Sequence, residues 1–173
     1  MPELVVITPS YAPDFELCQD LNASVLAHPP ASTAHHIITP RRDLELFSAL
    51  RGPRTHVWSV DGLLPRYMVG VPGANFWINL HRPVPPVRGW VMQQVVKLQA
   101  AIQIEADTLL MVDSDVRFVR PVTAQTFRRD GSLRFYRKDA GVDEHLPRHL
   151  VWHDVARDLL GIPRAQAPLP DYI

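Results

Sequence analysis

Leu4-Val5-Val6-Ile7-Thr8 is an apolar, β-branched run closed by Pro9-Ser10, the pattern of a strand buried on both faces. Asp14 then offers a cap for a helix running to about Ala27, with Leu17, Cys18, Leu21 and Val25 on one side. A second strand is expected at His35-His36-Ile37-Ile38-Thr39, where Pro40 stops it, and a short helix from about Arg42 to Leu50 ends at Gly52-Pro53. Thr55 to Val60 reads as a third strand, broken by Asp61-Gly62. Residues 61–88 lose this regularity; Gly70, Gly73 and several prolines suggest a functional loop carrying one short strand.

Gly89 opens a longer helix. Val91, Val95, Leu98 and Ile102 fall on one stripe, expected to face the core, while Trp90, Gln94, Lys97 and Ala101 occupy the adjoining face. Thr108-Leu109-Leu110-Met111-Val112 is a further apolar strand, ending abruptly at Asp113-Ser114-Asp115. Ser132 to Arg137 suggests another strand, and about Leu150 to Leu160 a last helix closed by Gly161 and Pro163. Strands alternating with helices over short connections predict an α/β fold with a mostly parallel sheet and helices on both faces.

Composition narrows this little. One domain over residues 1–173 suits the length. Lys+Arg and Asp+Glu balance at 18 each, so no broad basic field exists to bind nucleic acid, and phosphate chemistry must be local. No apolar run approaches the roughly 20 residues of a membrane-spanning helix. Nor does the N-terminus have the form of a signal peptide. With a single cysteine, Cys18, read as a core thiol, a cytoplasmic location is expected. Seventeen prolines stiffen loops such as Pro83 to Pro86.

The chemistry concentrates at Asp113-Ser114-Asp115. In open α/β sheets, ligands bind beyond the carboxyl ends of the strands. Two carboxylates two residues apart at such an end can share a hard cation, Mn²⁺ or Mg²⁺, with a diphosphate. The plainer alternative is a polar turn, since Asp and Ser favour turns everywhere. His149 and His153 have the four-residue spacing of zinc ligands, but no Glu follows His149 and no third ligand is apparent. Asp143-Glu144-His145 reads as loop surface, and His35 and His36 as structural. Arg117 and Arg120 could pair with the acidic residues or with a diphosphate.

The segment from Gly89-Trp90-Val91-Met92-Gln93-Gln94-Val95-Val96-Lys97-Leu98 to Asp113-Ser114-Asp115-Val116-Arg117-Phe118-Val119-Arg120-Pro121 resembles the donor site of GT-A glycosyltransferases. It is especially similar to a bacterial GT-A-like group of unknown function with a Q-Q-x-x-K-L helix and a D-S-D-V-x-F-x-R-P strand end. The resemblance extends to Val5 to Tyr11 and, loosely, through Trp152 and Leu159-Leu160-Gly161 to Ile173. It implies a nucleotide-diphosphate sugar donor, an unidentified acceptor and a divalent metal. By position, Asp113 would lie near the donor's ribose or the metal, Asp115 would be the firmer metal ligand, and Ser114 would stand beside the donor. Thr8, Pro9, Ser10 and Tyr11 would line the base and ribose pocket. Lys97 would reach a phosphate or the Asp113 carboxylate; Gln94 shares its face, and Asp61 would bound the site. Related GT-A chains are longer, so the acceptor side and any catalytic base are expected to be missing. Two other functions fit a D-x-D after a strand: a haloacid-dehalogenase-type phosphohydrolase with Asp113 as nucleophile, and a non-catalytic sugar- or protein-binding module.

Overall fold

The computed structural model describes residues 2–71, 74, 76–134 and 137–172. The chain divides into two compact units, residues 1–126 and 127–173. In the first, β1 (Val5–Pro9), α1 (Phe15–Ala27), β2 (Ala34–Thr39), α2 (Leu44–Ser48) and β3 (Thr55–Ser59) follow in order. A three-stranded antiparallel sheet comes next, formed by β4 (Met68–Gly70), β5 (Phe76–Asn79) and β6 (Val87–Arg88). Then α3 (Gly89–Gln103) leads into β7 (Leu109–Met111). The main sheet has four parallel strands in the order β3-β2-β1-β7. The fold class is therefore α/β with helices on both faces of a parallel sheet, as the alternating pattern predicts.

Alternation within the strands sorts the two faces. Val5, Ile7 and Ile38 pack with Met92, Val96 and Ala100 of α3. Ile37 and Val57 point the other way, against Cys18 of α1 and Phe47 of α2, with Phe15 and Leu44 at the margin. The Phe15 and Phe47 rings meet edge to face at 5.2 Å, an aromatic arrangement that stabilises beyond simple burial.

A buried polar network crosses this second face. The Oδ1 of Asn22, on α1, lies 2.8 Å from His35 Nδ1 and accepts from the Thr55 hydroxyl at 2.9 Å. A carbonyl oxygen only accepts, so Nδ1 carries the imidazole proton; Nε2 then accepts from the Thr8 hydroxyl at 3.0 Å. One imidazole thus ties α1, β1 and β2 together, and Asn22 extends the tie to β3. At the base of α1, Arg54 donates to the carbonyls of Thr33, Leu26, Val25 and Pro30. Its guanidinium sits where the helix C-terminus leaves carbonyls without intrahelical partners.

Three expectations are corrected. The stripe Val91-Val95-Leu98-Ile102 does not face the core: Leu98 and Ile102 are among the most exposed apolar residues of the unit, and the buried residues of α3 are Met92, Val96, Lys97 and Ala100. Two apolar stripes share this helix, and the lysine on the inner one disguised it. Leu17 is exposed although its helical neighbours Cys18, Leu21 and Val25 are buried. Residues 61–88 hold three short strands rather than one; Gly73, part of that expectation, lies outside the described residues.

In the second unit, β8 (Arg128–Arg129) pairs with β9 (Ser132–Leu133), and β10 (Arg137–Val142) pairs with β11 (Leu169–Tyr172), both antiparallel. The strand expected over 132–137 is thus two separate pieces, and residues 135–136 between them lie outside the described residues. Between β10 and β11, α4 (Pro147–Leu160) starts three residues earlier than expected, with proline in its first turn. Gly161, at φ +66°, ends it; the Ile162 amide donates back to the Arg157 carbonyl at 2.9 Å. This is the left-handed terminus for which glycine is suited.

Burial lowers the pKa of His35 from 6.5 to about 3, and that of His36, beside His56, to about 4. Folded values below the unfolded value mean that the unfolded chain binds more protons between about pH 6.5 and 3. Stability from these neutral imidazoles is complete above pH 6.5 and is lost as pH falls through that window. The urea unfolding midpoint is expected to drop from pH 7 to pH 4, with each histidine contributing up to about 1.4 kcal/mol per pH unit. His35→Gln should flatten that slope. An unchanged slope in the variant would exclude His35 as its source.

Candidate functional site

The strand β7 continues its ladder one residue beyond its end, the Val112 amide donating to the Ile7 carbonyl at 3.0 Å. Asp113-Ser114-Asp115 leaves the sheet directly after it. Their exposures alternate: both aspartates are exposed and Ser114 is buried. The serine hydroxyl donates to Asp14 Oδ2 at 3.3 Å. Asp14 makes no side-chain cap to α1, so the carboxylate expected to cap that helix is turned toward the D-S-D element instead. Downstream, the Phe118 amide donates to the Ser24 hydroxyl at 3.0 Å, and that hydroxyl donates to the Leu21 carbonyl at 2.7 Å. The acidic element is therefore anchored on both sides of Asp115, to the residue that precedes α1 and to Ser24 within that helix.

From the other face comes Lys97. Its ammonium lies 2.6 Å from Asp113 Oδ1, with 8% of its side chain exposed against 64% for Asp113. A buried ammonium is costly unless it is paired and hydrogen-bonded, so this contact satisfies a cation that packs inside α3's inner face. Lys97 thus reaches the Asp113 carboxylate, one of the two partners expected for it.

Pro9, Asp14, Leu17, Gln93, Asp113, Ser114 and Asp115 line one hollow of about 200 Å³. Pro9 ends β1 and Asp113 follows β7, the two strands between which the strand order reverses. The helix after β1 and the helix before β7 lie on opposite faces there, which leaves a crevice outside the carboxyl ends of the strands.

The remaining expected donor residues divide. Thr8 is fully buried and committed to His35, so it supports the crevice from behind rather than lining it. Ser10 is buried, its amide extending the ladder to the Ile38 carbonyl at 2.9 Å, and Tyr11 is exposed just beyond. Gln94 is exposed and does not line the hollow; Gln93 does. Gln93 stands four residues before Lys97 and Gln94 three, and both spacings put a side chain on the lysine's face, so helical spacing alone does not separate them. Asp61 follows β3 in a tight turn, its amide bonded to the Ser59 hydroxyl at 3.2 Å. Three strand spacings, roughly 14 Å, separate β3 from β7, so Asp61 does not join the hollow. Arg117 and Arg120 are exposed.

Two other histidine groups were candidates. His149 lies against the Trp152 ring at 4.8 Å, and among the described residues no three His, Cys, Asp or Glu side chains form a group able to hold a metal. Asp143 accepts from the His145 amide at 2.9 Å in the turn that precedes α4. A larger recess beside β3 is lined by His36, Arg51, His56, Trp58 and Gln103 without any carboxylate. Cys18 is buried, and burial pushes its thiol up to about 11. It is a packing residue, with little thiolate at neutral pH. No described helix is long and apolar enough to cross a membrane.

Residues 5–167 match the family of unknown function DUF6492, and the chain belongs to that family. No curated protein and no solved structure matches it.

The Ser24 bridge yields a test of how the site is held. Ser24→Ala leaves the buried Phe118 amide without its acceptor, and about 1–3 kcal/mol of stability should be lost in urea unfolding. Ser48→Ala, on the exposed hydroxyl that bonds the Glu45 carbonyl, should cost under about 0.5 kcal/mol. Equal losses would show that the Ser24 bridge holds nothing in place.

Proposed function

We propose that this chain is the donor-binding part of a metal-dependent glycosyltransferase, taking a nucleotide-diphosphate sugar and passing the sugar to an acceptor. One observation carries the reading: Asp113, Ser114 and Asp115 line a hollow at the point where the order of a parallel sheet reverses, with Pro9 of β1 opposite. Crevices at such reversals are where nucleotides bind in open α/β sheets.

The donor set suits a hard cation. Asp115 and Asp113 offer carboxylate oxygens to solvent, while Asp14 lines the same hollow and accepts from the Ser114 hydroxyl. Mn²⁺ and Mg²⁺ prefer oxygen ligands and complete their coordination with water and substrate phosphates, so few protein ligands suffice. Such an ion supplies neutralisation of the charge that collects on the diphosphate as the sugar departs.

The chain's own groups do the rest of the binding. Lys97 does not line the hollow but sets a positive charge behind it through Asp113, and Gln93 brings an amide that both donates and accepts. Leu17 provides an apolar wall on the α1 side. Ser114 and Asp14 hold each other, which fixes the direction in which Asp113 and Asp115 project. The backbone of Pro9 to Tyr11 borders the crevice where the resemblance places the base and ribose.

A second reading draws on the Lys97–Asp113 contact. A carboxylate that attacks phosphorus also benefits from a fixed ammonium, so an aspartyl-phosphate phosphohydrolase with Asp113 as nucleophile uses the same pair. The two readings separate in one set of measurements. Calorimetry with UDP and GDP should show binding that requires Mn²⁺, and Asp115→Ala should weaken it at least about tenfold. Gln93→Ala should weaken it several-fold while Gln94→Ala leaves it unchanged. Turnover of a generic phosphate monoester, abolished by Asp113→Asn, would instead favour the phosphohydrolase and end the transferase reading.

A further inference from the structure

We propose that Lys97 is a positioning residue that divides the labour of Asp113, holding one carboxylate oxygen and leaving the other for a cation. This rests on the reading of the hollow as a site for a divalent ion and a nucleoside diphosphate.

The asymmetry of burial carries the argument. Lys97 belongs to the inner face of α3, flanked along the helix by the buried Val96 and Ala100, and only 8% of its side chain is exposed. Asp113 is 64% exposed. If the pair separates, the aspartate regains water while the ammonium keeps a desolvated site. The lysine is therefore the fixed partner and the aspartate the movable one. The 2.6 Å contact engages Oδ1, so an ion that also took Oδ1 would sit beside a like charge, and Oδ2 is the oxygen left for it.

Charge points the same way. Asp14, Asp113 and Asp115 bring three negative charges to the hollow, and Lys97 offsets one. With all three uncompensated, the hollow would attract a bare divalent ion more strongly but would repel a diphosphate. With the ammonium present, the site is tuned for an ion that arrives with its phosphate. An ammonium has three donors, of which Asp113 uses one, and it pairs with phosphate oxygens as a compact point charge.

Two affinities must therefore move in opposite directions. Lys97→Met preserves the length of the buried stem and removes the charge. Calorimetric titration with Mn²⁺ alone should show binding about threefold tighter or more, as follows from deleting a like charge beside the ion. Titration of the Mn²⁺-saturated protein with UDP and GDP should show binding about tenfold weaker, the loss of one charge-assisted hydrogen bond. Lys97→Arg should restore most of the nucleotide affinity. A lysine with a purely structural role would shift both affinities in the same direction or neither, and either result overturns the proposal. If the unaltered protein binds neither Mn²⁺ nor Mn²⁺ with UDP or GDP, the reading of the hollow itself falls and the positioning role falls with it. The first failure leaves nucleotide binding to the unaltered protein intact; the second abolishes the premise.

Discussion

A neutral imidazole at the centre of the first unit organises everything around it. His35 sits on β2 with no solvent exposure, bonded at one ring nitrogen to Asn22 of α1 and at the other to Thr8 of β1. Apolar strands alone tolerate slippage: moving β1 by one residue would exchange Val5 and Ile7 for Val6 and Thr8. The Thr8–His35 bond permits one register, in which Thr8 lies opposite Ile37, and Asn22 fixes α1 over the same point. Buried polar groups are costly when left unpaired, so the network specifies an arrangement more than it strengthens one.

That specification reaches the candidate site through short lengths of chain. Thr8 is one residue from Pro9, which lines the hollow, and Asn22 is two residues from Ser24, which takes the Phe118 amide. The strand that ends in Asp113 pairs with β1, Val5 to Ile7 opposite Leu109 to Met111. The positions of both walls of the crevice therefore follow from a register set on the opposite face of the sheet from α3. What α3 adds is charge, through Lys97, and the core layer of Met92, Val96 and Ala100 that holds the helix against β1.

The parts legible in the sequence were those with a strong local signal. β-Branched runs ended by proline or aspartate marked β1, β2 and β3, an apolar run ended by aspartate marked β7, and Gly161 marked the end of α4. What was hidden depended on tertiary competition. On α3 the stripes of Val91-Val95-Leu98-Ile102 and of Met92-Val96-Ala100 have the same helical period, and hydropathy favours the one without a lysine. The fold buries the other, and the lysine beside it finds a partner in Asp113, sixteen residues away. Periodicity cannot register a compensation of that kind. The same blindness placed Gln94 at the site in place of Gln93. Asp14 looked like a helix cap because aspartate before a helix usually is one; its turn toward Ser114 is a contact across 100 positions. Thr8 was correctly placed at the end of β1 but given to the crevice, since nothing local shows that His35 claims its hydroxyl.

The middle residue of Asp113-Ser114-Asp115 now has a physical role. Ser114 and Asp115 lie in a turn closed by the Val116 amide, which donates to the Asp113 carbonyl at 3.3 Å; the turn carries one residue inward between two carboxylates that both reach solvent. That residue must be small enough for the space beneath the crevice and polar enough to face a carboxylate there. Serine meets both demands: Ser114 is buried and donates to Asp14. Its hydroxyl spends Asp14's free oxygen on structure, while Lys97 spends one oxygen of Asp113. Asp115 is the one member of the three for which no bond to a protein group draws on its carboxylate among the described contacts. The hollow thus grades its carboxylates from committed to available, and the gradient ends on the residue that stands furthest along the chain from the sheet.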